Sequence, residues 1–263
     1  KTKTYGENDP ALTYNVTTGT LANSNDLTGT LTRVTGDTVG EYTINQGTVD
    51  NLNYTISYVS DKLTINAKPI TVTAVAKAKT YGDPDPTLTF TTATGALVGS
   101  DTLTGTLTRV TGDSVGEYTI NQGTVDNSNY DISYTSAKLT INAKPITVTA
   151  TAKTKTYGDS DPALTYTTAT GALVGSDTLS GSLTSDAGED ANSYTIRRGT
   201  VANTNYDITY IASTLTITQA QQSALSVTTT NIVYRTPIAL QAAGGSEGDL
   251  SFNVATTGTA SCS

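Results

Sequence analysis

A 76-residue internal repeat constrains this chain more than any other feature. Tyr-Gly recurs at Tyr5-Gly6, Tyr81-Gly82 and Tyr157-Gly158, Gly-Thr-Val at Gly47, Gly123 and Gly199, and Leu-Thr-Ile at Leu63, Leu139 and Leu215. Every interval is 76 residues, without insertion or deletion. Roughly three quarters of aligned positions agree between the first two copies, and the third diverges further. Solenoid repeats run about 20–50 residues and cannot stand alone. A unit of this length is enough for a small domain with its own core, near the lower size limit. The repeat therefore predicts tandem domains, not one continuous core.

Composition says what those domains are made of. Threonine supplies 57 of 263 residues, tyrosine 15, and only 14% are charged, which favours strands over helices. The second copy alternates at period two. Ile70, Val72 and Ala74 face away from Thr71, Thr73 and Val75, and Leu88 and Phe90 share a face. Leu103 with Leu107, Tyr118 with Ile120, Tyr130 with Ile132 and Tyr134, and Leu139 with Ile141 continue the pattern. Turn signals separate the runs, at Gly82-Asp83-Pro84-Asp85-Pro86, Gly99-Ser100-Asp101, Thr111-Gly112-Asp113 and Asp126-Asn127. Residues 95–101 have room for one helical turn at most. Six or seven strands per repeat predict an all-β fold: tandem small β-sandwich-like domains in an extended rod, with a β-grasp-like variant as the alternative.

The repeat also sets the expected boundaries: 1–66 (lacking the strand at 67–76), 67–142, 143–218, and a linker with a different, partial domain over 219–263. Asn142-Ala143-Lys144-Pro145 leaves three or four residues between the last strand of one repeat and the first of the next. Proline and its predecessor are held extended, so this junction is stiff where a Gly/Ser linker would swivel.

Several function classes drop out early. With no histidine, neither a Ser-His-Asp nor a Cys-His system can be built, nor a His-containing zinc site. A net charge of −8, with 15 basic residues spread among 23 acids, argues against nucleic acid, which needs clustered Lys and Arg. Apolar runs are a few residues long, short of the roughly 20 of a membrane helix. The single cysteine, Cys262, has no internal partner. A non-enzyme without a cofactor is expected. Low charge, abundant Thr, Asn and Gly, and almost no Cys suit a bacterial exterior.

The motif Lys79-Thr80-Tyr81-Gly82-Asp83-Pro84-Asp85-Pro86, followed by Leu88-Thr89-Phe90, Val115-Gly116-Glu117-Tyr118, Gly123-Thr124-Val125, Asn129-Tyr130 and Leu139-Thr140-Ile141, resembles the MBG domain of the YGX type. The resemblance covers about residues 1–218. It departs in the third copy, where Ala191-Asn192-Ser193 replaces Val115-Gly116-Glu117. It implies an extracellular setting in large bacterial surface or secreted adhesin-like proteins, a stalk role, and no catalytic residues. Its partners are then neighbouring domains of the same chain. Adhesion to glycans or host ligands is one alternative. The other is homotypic association into a matrix fibre, with β-strand addition at the incomplete first domain. The tail, with Tyr234-Arg235-Thr236-Pro237 and Cys262, resembles the first half of a bacterial Ig-like repeat, which implies a partner cysteine further along.

Candidate sites are few. Asp83, Asp85 and Asp101 offer oxygen ligands of the kind Ca²⁺ takes, but no EF-hand-like spacing accompanies them and Asp-Pro is also ordinary turn chemistry. Arg33 with Glu41, and Arg109 with Glu117, are expected cross-strand pairs, because Ser185 and Ser193 replace both members together. Arg197 and Arg198, near Asp186, Glu189 and Asp190, read as a local charge rearrangement. Tyr130 and Tyr134 read as packing residues rather than a sugar-stacking row. Lys79 and Lys138 are candidates for intramolecular isopeptide bonds to asparagine.

Overall fold

The computed structural model describes residues 1–22, 25–222, 226–227 and 242–243. The described residues are all-β and contain no helix, so none long and apolar enough to cross a membrane is among them. The first repeat holds β1 (Thr2–Thr4), β2 (Thr32–Arg33), β3 (Gly40–Asn45) and β4 (Asp61–Asn66). The second holds β5 (Lys68–Ala74), β6 (Lys77–Thr80), β7 (Phe90–Thr92), β8 (Thr108–Arg109), β9 (Gly116–Asn121), β10 (Tyr130–Thr135) and β11 (Ala137–Asn142). The third repeats that order as β12 (Lys144–Ala150), β13 (Lys153–Thr156), β14 (Tyr166–Thr168), β15 (Thr184–Ser185), β16 (Ser193–Arg197), β17 (Tyr206–Ile211) and β18 (Ser213–Thr218). A two-residue pair, β19 (Ser226–Val227) with β20 (Ala242–Ala243), follows. The expected Ig-like tail otherwise lies outside the described residues.

The backbone of the second repeat is one long parallel pair, bent in the middle. Residue 130 lies against 68 and 135 against 73; past the bend, 139 lies against 77 and 142 against 80. The offset stays at 62, so the first and last segments of the repeat never slip in register. Around the first half, β7 closes a three-stranded sheet ordered β10-β5-β7; around the second, the β8–β9 hairpin closes a four-stranded sheet ordered β6-β11-β9-β8. A parallel pair needs a crossover of a dozen or more residues, and 81–129 supply it without a helix. The same offset joins Thr2 to Thr64 and Lys153 to Leu215. Residues 54–59 of the first repeat, which align with β10, form no strand, and Val59 among them and Leu52 just before them are exposed.

The expected alternation holds. Ile70, Val72 and Ala74 are buried while Thr71 and Thr73 face solvent. Leu107, Ile120, Val125 and Leu139 form the core under the second half of the repeat, flanked by Leu88, Phe90, Tyr118 and Tyr134. Ile70, Val72 and Tyr130 form the core under the first half.

The junctions are tighter than the sequence predicts. Only Ala67 separates β4 from β5, and only Ala143 separates β11 from β12. Lys68 and Lys144 already belong to the following strands, with their N–H groups donated to the Asn129 and Asn205 carbonyls at 3.0 and 2.9 Å. Pro69 and Pro145 lack an N–H to give, and sit at second positions where a strand is just starting. Lys1–Pro145 and Asn203–Asp207 form one compact unit; Ile146–Ala202 and the described residues from Ile208 onward form another. The first unit contains the first two repeats together.

Candidate functional site

Two side-chain constellations recur with the repeat. The first is a charge clamp. Asp85 sits in the Asp-Pro turn after β6, where Lys79 Nζ reaches its Oδ1 at 2.7 Å and Arg109 Nε, from β8, reaches its Oδ2 at 2.5 Å. Arg109 uses all five of its donors. The others go to Asp85 Oδ1, Asp113 Oδ1 and the Val110 and Gly112 carbonyls, at 2.6–3.2 Å. Its guanidinium also lies 5.3 Å from the centre of the Tyr118 ring. The first repeat builds the same clamp from Lys3, Asp9, Arg33, Asp37 and Tyr42.

The expected Arg–Glu pairs are therefore corrected. Arg33 lies opposite Ile44 and Glu41 opposite Thr64. Arg109 lies opposite Ile120 and Glu117 opposite Thr140. Odd and even positions of a strand face opposite ways, so each Arg and its Glu are on different faces. Glu41 pairs instead with Lys62 across the sheet. The third repeat rewires the clamp. Ser185 takes the place of Arg109, and Glu189 that of Asp113. Lys155, whose side chain is 4% exposed, bridges Asp161 and Glu189 at 2.6 Å each. Arg197 pairs with Asp186 at the surface. Arg198 donates to the Val201 carbonyl at 2.7 Å, as Gln122 does to Val125 in the second repeat. The charges thus rearrange locally, as the sequence suggests.

The calcium candidates are not brought together. Asp85 is held by the clamp, Asp101 Oδ2 accepts from two tyrosine hydroxyls, and Asp83 closes a turn through its N–H on the Thr80 carbonyl. No three acidic groups converge on a point among the described residues. The isopeptide candidates are also engaged elsewhere: Lys79 with Asp85, and Lys138 with Thr119 Oγ1 at 2.9 Å.

The clamp sets a pH dependence. Hydrogen bonds from Arg109 first and Lys79 second lower the Asp85 carboxyl to about 2, and Arg33 and Lys3 do the same to Asp9. A carboxyl depressed on folding adds stability above its unfolded value of about 3.9, and that stability is lost as pH falls through about 2. Asp85 is 39% exposed, so solvent weakens the pair. The urea midpoint should fall between pH 4 and 2, and Asp85→Asn should flatten that fall. An unchanged slope in the variant would remove the clamp from the acid response.

The second constellation is a joint between repeats, seen inside the first unit. Tyr5 Oη donates to Asp101 Oδ2 at 2.9 Å, and its ring meets Tyr130 edge-on with centroids 5.5 Å apart. Tyr130 Oη donates to the same Asp101 oxygen at 2.6 Å and accepts from the Val98 N–H at 2.8 Å. Hydrogen bonds from Tyr130 and then Tyr5 hold the Asp101 carboxyl below its usual value. The Val39 N–H donates to Asn129 Oδ1 at 3.0 Å. Gly6 has φ +86°, and a Cβ there would lie 2.5 Å from Val98 Cγ2, so the next repeat's valine fills the glycine notch. The contact recurs one repeat later in the same unit: Tyr81 meets Tyr206 edge-on at 5.5 Å, and the Val115 N–H donates to Asn205 Oδ1 at 3.0 Å. Tyr130 and Tyr206 are buried and Tyr134 is half-buried, its hydroxyl on the Ile120 carbonyl at 3.0 Å, as packing residues should be.

Small mixed-sheet β-domains, strung with single-residue junctions and joined through their own Tyr-Gly corners, define the class. The family model for the MBG domain (YGX type) matches residues 1–64, 70–140 and 146–216, and the chain belongs to that family. No curated protein sequence matches the chain.

Proposed function

We propose that this chain is a load-bearing connecting segment of a large extracellular, adhesin-like bacterial surface protein. The parallel pairing of the first and last segments of each repeat carries this reading. Tension along the chain enters the second repeat at residue 68 and leaves at residue 142, the two opposite ends of the parallel pair. Its hydrogen bonds are then loaded together in shear, whereas pulling from one end would open them in turn. The single-residue junctions pass load directly from β4 into β5 and from β11 into β12. A sugar-binding reading finds less support, because Tyr130 and Tyr134, the residues that would form its platform, are taken up by a joint and a core. Membership of the MBG family favours the extracellular setting.

Single-molecule pulling tests this. Stretched by its ends, the full chain should unfold in steps of roughly 250 Å, the contour of about 76 extended residues. When force is applied through residues 68 and 130, the same end of the pair, the second repeat should yield at clearly lower force. Equal forces in the two geometries would defeat the load-bearing reading. Saturable binding of the full chain to a glycan array would favour adhesion in its place.

A further inference from the structure

The Tyr-Gly corner occurs three times and is covered twice. Its backbone is built alike each time. The Tyr5, Tyr81 and Tyr157 N–H groups donate to the Asn66, Asn142 and Thr218 carbonyls at 2.8–2.9 Å, and Gly6, Gly82 and Gly158 have φ of +86°, +88° and +89°. The surroundings differ. Tyr5 and Tyr81 are half-buried against Tyr130 and Tyr206, whereas Tyr157 is 46% exposed. Val98 fills the space over Gly6, but a Cβ at Gly158 would meet nothing within 4 Å.

We infer that the Tyr157-Gly158 corner is a docking surface for the socket end of a further YGX-type repeat. The two covered corners specify what that socket must carry: a valine methyl for the glycine notch, a carboxylate three residues later for the tyrosine hydroxyl, and an Asn-Tyr pair whose ring takes the edge-on contact. Val98, Asp101, Asn129 and Tyr130 are such a set. A second copy of this chain fits poorly. In its first repeat Ala22 replaces the valine and Asn25 the aspartate. The sockets of its second and third repeats already hold Tyr5 and Tyr81. The occupant is therefore another repeat with an intact socket, whether the array serves as a stalk or as an adhesive.

Tyrosine nitration by tetranitromethane, followed peptide by peptide, tests the docking on the full chain. Tyr157 should react several-fold faster than Tyr5 and Tyr81. Duplicating residues 67–142 immediately after Thr218 preserves the 76-residue spacing and offers an intact socket. In that longer chain the Tyr157 rate should fall to that of Tyr5, and Asp101→Ala made in the added copy alone should restore it. A second version carrying a duplicate of 143–218 guards against one insert failing to fold, and an added unfolding step on pulling shows that an insert has folded. Unchanged Tyr157 reactivity beside a folded insert would overturn the inference. So would concentration-dependent self-association of the original chain that protects Tyr157, since the occupant would then be a second copy. Neither result bears on the unfolding force of a single repeat, which tests the mechanical reading separately.

Discussion

Leu139→Ala is expected to destabilise the second repeat by about 3 kcal/mol, within the 2–5 kcal/mol span of large-to-small core changes. Leu139 is fully buried on the central strand β11, in the cluster with Ile120, Val125 and Leu107. That strand is hydrogen-bonded on both sides, parallel to β6 and antiparallel to β9, so the backbone cannot move in to fill the space. Domains hold about 0.05–0.15 kcal/mol of stability per residue, so 76 residues carry roughly 4–11 kcal/mol, and the loss is a large part of it. At about 4–8 °C per kcal/mol for a domain of this size, a calorimetric transition should move down by on the order of 15 °C. Thr73→Ala, on the solvent face of β5, should change stability by less than about 0.5 kcal/mol. Equal effects of the two variants would mean that the alternation does not define the core.

What sequence could foretell followed from periodicity. The 76-residue spacing gave the number of repeats that match the family, and the alternation of Ile70, Val72 and Ala74 with threonine gave the buried face. Strand direction was not legible, because alternation looks the same in parallel and antiparallel pairs. The constant offset of 62 between 68–80 and 130–142 appears only once the chain has folded. The clamp is not legible in the sequence for a related reason. Asp85 and Arg109 are 24 residues apart, and nothing local ties a turn aspartate to a strand arginine. The joint loss of Arg109 and Glu117 in the third copy suggests a pair, but the two lie on opposite faces. The informative change was Asp113 to Glu189, one methylene longer, which reaches Lys155 where the arginine is missing. The joint was hidden because Tyr-Gly reads as a turn and Tyr130 as core. Both readings are true, and neither reveals that the two tyrosines meet across a repeat boundary.

Gly112→Ala is expected to cost more than conformational strain alone. Gly112 has φ +146°, where an L-residue is strained, and a Cβ would lie 2.2 Å from Tyr118 Cε1 and 2.9 Å from Cζ. The ring is not free to swing away. Its hydroxyl donates to the Ser114 carbonyl at 2.8 Å and Arg109 stacks on it. Arg109 in turn donates to the Gly112 carbonyl at 2.6 Å. Moving the ring therefore disturbs the clamp that holds Asp85. A left-handed strain of about 1–2 kcal/mol plus this displacement predicts a loss of about 2–4 kcal/mol in urea unfolding. Two glycines of the same chain separate the contributions. Gly95 has φ +74° with nothing within 4 Å of a new Cβ, so Gly95→Ala should show the strain alone. Gly188 would place a Cβ 2.1 Å from Tyr194 Cε1, and the Tyr194 hydroxyl keeps its own bond to the Asp190 carbonyl at 3.1 Å, but Ser185 stands where the stacking arginine would be, so Tyr194 is held at one point fewer and yields more readily. The expected order of destabilisation is Gly112→Ala, then Gly188→Ala, then Gly95→Ala. If Gly188→Ala proved as costly as Gly112→Ala, the ring contact would suffice without the arginine, and the clamp would lose its role in fixing the loop.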